Sequence, residues 1–440
     1  MTYYEQRTFM RFYLPSQTFL SLLHYTFYHV MKCCIVGGGL TGLVAALSLS
    51  ADHEVVLYER RPVLGGCLSS IDRGTYTIEA FYHHCFEGDA HLFALLDRLD
   101  LRDELEWLTG TTGYHVNGRS YPLSTLPEIV AYPHMSVLDK ARLGWLMLRA
   151  AKLDRTALDD VTAQSFILDH QGRSVYTSFF EPLLRSKFGP MQDRVSAAWL
   201  LSRIAIRSNR SSGGEKLGYL RRGYASLVEG LRAAIEAQGC TVATEAPIEA
   251  MQRDGSSWSV RGERFDTVIS TIPPQLLGAM TGVPLTPIPY QGAACMTLAL
   301  DREVTNGIYW LNMKDDAPYG AVVAHTNFVP VERYGEHLIY LASYFSGDLP
   351  AGHGNRMLSD FCDRFGVARD EVRWHHLEVD PFAGPVYETG YRRLIPEYAQ
   401  DGLFIAGMFS RPNYPERSME GSIVAGEEVA AAARSTARHG

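Results

Sequence analysis

The chain has 440 residues, 46% hydrophobic and 20% charged, an ordinary composition for a folded protein of more than one domain. A net charge of −8 with no polybasic run argues against a nucleic acid partner, whose backbone demands clustered Lys and Arg. Seven scattered cysteines, odd in number and without a CxxC pair, argue against a disulfide framework and point to a reducing cytoplasm.

Residues 1–30 are rich in aromatics, but Gln17, His24 and His29 interrupt the apolar stretches. The segment is too short and polar to span a bilayer and lacks the pattern of a secretory signal. It is expected to be an N-terminal extension to the fold, with peripheral membrane contact as the functional alternative.

The first strong element is KCCIV, residues 32–36, which breaks into Gly37-Gly38-Gly39-Leu40-Thr41-Gly42 and then LVAALSLSA. This predicts a strand, a tight turn and a helix. Gly37 permits the turn, Gly39 lets backbone approach a pyrophosphate, and Gly42 lets the helix pack on the strand. Leu40 and Thr41 open the helix, whose N–H groups face the phosphates. A second strand, EVVLYE, closes the unit on Glu59, 22 residues after Gly37, where a carboxylate accepts hydrogen bonds from an adenosine ribose.

The next run, Arg60 to Ser70, carries the pair Gly65-Gly66, which a nicotinamide dehydrogenase does not need. It resembles the second glycine motif of the amine oxidase superfamily of FAD enzymes, which includes protoporphyrinogen oxidases, monoamine oxidases, phytoene desaturases and, more distantly, UDP-galactopyranose mutase. The resemblance implies FAD, with Arg60, Gly65, Gly66 and Cys67 beside the diphosphate and ribityl chain. Tyr76 to Cys85 follows about ten residues later, and a strand there returns past the flavin. Tyr82 and His83 are the catalytic candidates. His83, His84 and Cys85 are contiguous, and successive strand residues face opposite sides, so no metal site is expected.

Residues 86–210 read as mostly helical, and place Arg203, Arg207 and Arg210 on one helical face, either a carboxylate or phosphate clamp or a solvated basic face. In YASLVEGLRAAIEAQG, Leu227, Leu231 and Ile235 share one face of a helix that stops at Gly239. A strand meander follows, turning at Arg253-Asp254-Gly255, and Pro273-Pro274 ends its last run. In the resembling family such a meander inserts into the FAD domain, which puts Ile248 against the adenine. Residues 290–380 alternate in short strands, and Tyr309, Trp310, Tyr340, Tyr344 and Tyr387 are either an aromatic wall or core.

Near the C-terminus DGLFIAG reads as a buried strand, followed by a long Ala-rich helix. The resemblance places Gly407 and Met408 at the ribityl or phosphate region, and Ser418 to Gly421, Met419 among them, at the isoalloxazine edge. Relatives often carry Gly-Asp where this chain has Gly407-Met408, so that hydrogen bond needs a substitute. No cysteine follows Cys362, so the FAD is expected to be non-covalent.

The expected fold class is α/β. A Rossmann-like FAD-binding domain of the glutathione reductase type comprises residues 31–85, 214–282 and 395–440. An inserted, discontinuous α+β substrate domain comprises 86–213 and 283–394. The expected function is protoporphyrinogen oxidase-like, removing hydride from a hydrophobic or amphipathic small molecule. The alternatives are an isoprenoid or carotenoid desaturase and a UDP-galactopyranose mutase-like isomerase. Oligomeric state is not legible in the sequence.

Overall fold

The computed structural model describes residues 30–150, 152–206, 215–400 and 402–437; the N-terminal extension through residue 29, with Arg207 and Arg210, lies outside the described residues. Lys32–Val36 is the central strand of a six-stranded sheet. Its five parallel strands run Thr241–Ala243, Glu54–Tyr58, Lys32–Val36, Thr267–Ser270 and Leu403–Ile405, with Ala399–Gln400 antiparallel at the edge. Numbered along the chain, the parallel strands lie in the order 3-2-1-4-5, which leaves a crevice at the carboxyl end of the first strand.

Alternation explains how two layers cover this sheet. Cys33, Ile35, Val55 and Leu57 face one core, with the helices Leu40–Leu49, Ala225–Ala237 and Met419–Ala437. Cys34, Val36, Val56 and Tyr58 face the opposite core, shared with Met251, Trp258 and Phe265 of the antiparallel meander Met251–Asp254, Ser257–Val260 and Glu263–Phe265. The first and last helices cross closely: a Cβ on Gly426 would lie 2.7 Å from the Thr41 carbonyl oxygen, and Thr41 Oγ1 donates to the Ser422 carbonyl at 3.1 Å. This contact brings the C-terminal segment back to the glycine turn.

A seven-stranded sheet forms the second layer system, in the order Val372–Pro385, Tyr290–Leu300, His337–Phe345, Ala321–Ala324, Trp310–Met313, Thr112–Val116 and Arg119–Pro122. Only the pairing of Trp310–Met313 with Thr112–Val116 is parallel. Helices Val137–Ala150, Ala163–His170, Glu181–Phe188 and Ala197–Ile206 lie in the intervening chain.

Three details differ from the sequence reading. The mostly helical stretch contains strands Leu105–Gly110, Thr112–Val116 and Arg119–Pro122. The last two are joined at Asn117-Gly118, with φ of 52° and 70°, the pattern of a type I′ hairpin turn, and the Asp315 carboxylate accepts both turn N–H groups. Pro274 opens the short helix Pro274–Thr281, where its missing N–H costs nothing. Finally, the strand expected over Tyr76 to Cys85 is only Thr77–Glu79, paired with Ser70–Asp72.

Candidate active site

The first glycine turn leaves the central strand with Gly37 at φ 106°, its N–H donating to the Tyr58 carbonyl at 2.9 Å. The second glycine motif docks on the first: Gly65 N–H donates to the Gly38 carbonyl at 2.8 Å, with Gly65 and Gly66 at φ 103° and 58°. The angle at Gly65 is open to glycine alone without strain, and glycine also takes the left-handed angle at Gly66 at no steric cost. A Cβ on Gly39 would meet nothing within 4 Å, because it points into open space, whereas a Cβ on Gly42 would lie 2.0 Å from the Gly37 carbonyl oxygen. Gly39 therefore keeps a cradle open, and Gly42 lets the helix close on the turn.

Glu59 is buried just past the second strand, and its two carboxylate oxygens accept the N–H groups of Gly38 and Arg61, each at 2.8 Å. The carboxylate thus fixes the glycine turn, and its remaining lone pairs face the same cavity.

That cavity, of about 1220 Å³, is lined by Gly37, Gly39, Leu40, Thr41, Glu59, Arg60, Gly65, Gly66 and Cys67 from the first two motifs. Ile248 lines it from the approach to the meander, and Gly407, Met408 and Met419 from the C-terminal segment. Gly42 supports the turn from behind and is not part of the lining. The missing aspartate after Gly407 has a substitute. Gly407 N–H donates to Ser410 Oγ at 3.0 Å, while Asn413 donates from Nδ2 to the Gly407 carbonyl at 3.2 Å and accepts from Ser418 N–H at 3.0 Å. Asn413 thereby ties the strand end to the start of the last helix, whose positive dipole end adjoins the cavity.

Beyond the glycine cradle the wall becomes aromatic. Tyr82 and Tyr344 share a hydroxyl hydrogen bond of 2.9 Å, and the Tyr82 ring meets Trp310 edge-on at 4.8 Å. Burial pushes the Tyr82 phenol well above its ordinary range, so it remains protonated. His83 Nδ1 lies 2.6 Å from the Phe81 carbonyl, which can only accept, so Nδ1 carries the hydrogen. Burial lowers the His83 pKa to about 4, which makes this side chain neutral. His84 also lines the cavity, but Cys85 turns into the core beside Gly218. Among the described residues no group of three His, Cys, Asp or Glu is placed to hold a metal ion.

The proposed aromatic wall divides. Trp310 and Tyr344 line the cavity, while Tyr309, Tyr340 and Tyr387 are core; the latter two hydroxyls donate to the carbonyls of Glu79 and Asn413. Arg203 also lines the cavity but is paired with Glu416 at 3.1 Å.

Sequence reading missed Arg417. Its guanidinium lies over Gly384, where a Cβ would be 2.4 Å from Cζ, and it lines the cavity with neither an ion pair nor a hydrogen bond among the described residues. The only local signal is a cation immediately before the serine that starts the last helix. Tyr290 and Phe382, packed edge to face at 5.7 Å, complete this part of the wall.

A doubly wound sheet, two interlocked glycine loops and a large adjoining cavity define a dinucleotide-binding fold. The pattern of the flavin containing amine oxidoreductases matches residues 40–434, so the chain belongs to that family, and its cofactor is FAD. A probable zeta-carotene desaturase of Synechococcus elongatus is 42% identical over 77 residues, 17% of this chain and 16% of that protein. A carotenoid phi-ring synthase of Streptomyces griseus is 29% identical over 267 residues, 53% of this chain and 51% of that protein. The chain thus spans about half or less of these curated relatives.

Among solved structures, a provisionally assigned protoporphyrinogen oxidase from Exiguobacterium sp. 255-15 superposes with TM-score 0.74 at 18% identity, covering 92% of this chain and 99% of that one. Reduced UDP-galactopyranose mutase gives TM-score 0.70 at 20% identity over 92% and 96% of the two chains. Cyclohexylamine oxidase from Brevibacterium oxydans gives 0.63 at 16%, over 92% and 99%. The cradle that a Cβ at position 39 would fill, the positive-φ glycines and the buried Glu59 all fit FAD.

Proposed function

We propose that the protein removes hydride from a C–N or C–C position of an amphipathic small molecule. One observation carries this reading: the cavity runs from the glycine cradle into an aromatic pocket that contains a cation, Arg417, with no ion pair among the described residues. The apolar body of the substrate packs against Trp310, Tyr290 and Phe382, and an anionic group meets Arg417. Bound FAD supplies the hydride acceptor. The chain's own residues orient the substrate and exclude water, with Tyr82 protonated and neutral His83 as hydrogen-bonding groups.

The cradle is read as a glutathione reductase-type FAD domain built from residues 31–85, 214–282 and 395–440, and the remainder as the substrate domain. The isoprenoid or carotenoid desaturase reading is supported by the local identity to the zeta-carotene desaturase. The mutase reading rests on the structural likeness to that enzyme, but the pairing of Arg203 with Glu416 leaves one member of its arginine clamp already satisfied.

Anaerobic mixing of the oxidised holoprotein with porphyrinogens, polyenes, amines and nucleotide sugars tests these readings. A dehydrogenase substrate bleaches the flavin without added reductant, and an acid bleaches it faster than its methyl ester. Turnover of a nucleotide sugar only after dithionite reduction would overturn the proposal.

A further inference from the structure

Helices Leu126–Ala131 and Val137–Ala150 carry most of the large apolar side chains exposed on the described surface. Leu126, Val130, Val137, Leu138, Trp145 and Leu148 are all exposed, Val137 by 84% and Leu148 by 74%. The inner face of the second helix is accounted for: Leu143, Leu146 and Ala150 enter the core, and Asp139 accepts from Ser136 and Ser174. Its outer face, Leu138, Ala141, Arg142, Trp145, Leu148 and Arg149, follows the same helical spacing and faces solvent. The two helices are fixed to one another by Lys140, whose Nζ donates to the Val130 carbonyl at 2.6 Å, and buried Tyr132 and Met135 anchor the turn between them. The apolar tips therefore stand on a rigid ridge.

The charge on this ridge selects its partner. The chain as a whole is acidic, at −8, yet residues 126–155 hold five cations and three carboxylates. Those three carboxylates are engaged locally: Glu128 caps Ser124 and Thr125, Asp139 is buried, and Asp154 accepts from Thr156 and Ala157. Arg142, Arg149 and Lys152 are exposed, and Arg149 lies over the Trp145 ring at 5.4 Å. We infer that this ridge docks on the surface of an anionic lipid bilayer, with Leu138, Trp145 and Leu148 entering the headgroup boundary and the cations meeting lipid phosphates. A Trp with an adjacent Arg suits the polar–apolar boundary, and aliphatic tips among cations suit an anionic interface.

Other occupants are less complementary. A two-fold dimer through the ridge would bring like-charged faces together. The segment 1–29 has Glu5 as its single acid against Arg7 and Arg11, so it offers the cations no counter-charge.

The test is co-sedimentation of the full-length holoprotein with phosphatidylcholine vesicles, with and without phosphatidylglycerol. Partitioning should rise about tenfold or more with the anionic lipid and fall with added salt. Combined Leu138→Gln, Trp145→Gln and Leu148→Gln should reduce it about tenfold while the bound-flavin spectrum is unchanged. Arg142→Gln with Arg149→Gln should abolish the preference for anionic lipid. Equal binding to both vesicle types, or no loss in the triple variant, overturns the inference. So does a wild-type dimer that the triple variant dissociates in sedimentation velocity, or binding lost on deletion of residues 1–29 but kept in the triple variant.

Discussion

Two glycines three positions apart, Gly39 and Gly42, serve opposite purposes, and substituting each in turn separates cofactor binding from folding. A Cβ at position 39 meets nothing within 4 Å and projects into the cavity, so Gly39→Val occupies space the diphosphate needs while the apoprotein has room for it. FAD affinity should fall at least about a hundredfold, about 2.7 kcal/mol. The melting temperature of the apoprotein should fall by no more than about 2 °C, from the poorer helix cap. At position 42 the Cβ would lie 2.0 Å from the Gly37 carbonyl oxygen, a backbone atom that cannot rotate aside. Overpacking costs about 1–3 kcal/mol and more when backbone must shift, against about 1 kcal/mol gained by Ala over Gly in a helix. A net loss of about 2 kcal/mol lowers the apoprotein melting temperature by about 4–8 °C in a folding unit of this size. Flavin fluorescence titration and apoprotein thermal melts measure the two effects. Stoichiometric FAD on Gly39→Val, or an unshifted melt for Gly42→Ala, would refute the assignment of roles.

Glu59→Ala removes the acceptor of two backbone N–H groups as well as the ribose partner, so FAD binding should weaken by about 1–3 kcal/mol and the apoprotein should also melt earlier. Unchanged flavin titration would leave the carboxylate a purely structural role. Acid precipitation of the holoprotein should release all the yellow chromophore as FAD; colour in the pellet would mean a covalent link. Because burial depresses His83 to about 4 in the folded protein, the unfolded chain takes up its proton first, and this contribution to stability is present above pH 6.5 and lost as pH falls toward 4. Melting temperature measured across that range should fall less steeply in His83→Asn, and parallel curves would show that His83 is not held neutral. Asn413→Ala should cost about 2–4 kcal/mol and lower flavin occupancy, since the fully buried amide bridges Gly407 and Ser418; intact occupancy in absorbance would place the bridge outside the cofactor's support.

The glycine turn, its helix and the strand ending at Glu59 were readable because every determinant lies within about thirty residues: apolar runs set the strands, and glycines mark close approach. The long strands Tyr290–Leu300 and His337–Phe345 were legible as alternating or continuous apolar runs for the same local reason. The Asn117-Gly118 hairpin carried an equally local signal that helical periodicity on either side overshadowed.

Tertiary structure alone decided the cavity's far wall. Tyr82 meets Tyr344 across 262 residues of chain, Arg203 meets Glu416 across 213, and Arg417 finds its seat on Gly384, a position whose missing side chain has no pattern in its own strand. It also decided which of five similar aromatics line the wall, because a two-residue period settles only which side of a strand a ring takes, and the neighbouring sheet and helices settle whether that side is core or cavity. Local spacing encodes elements and turns; the charge and shape opposite the cofactor arise where segments hundreds of residues apart are packed together.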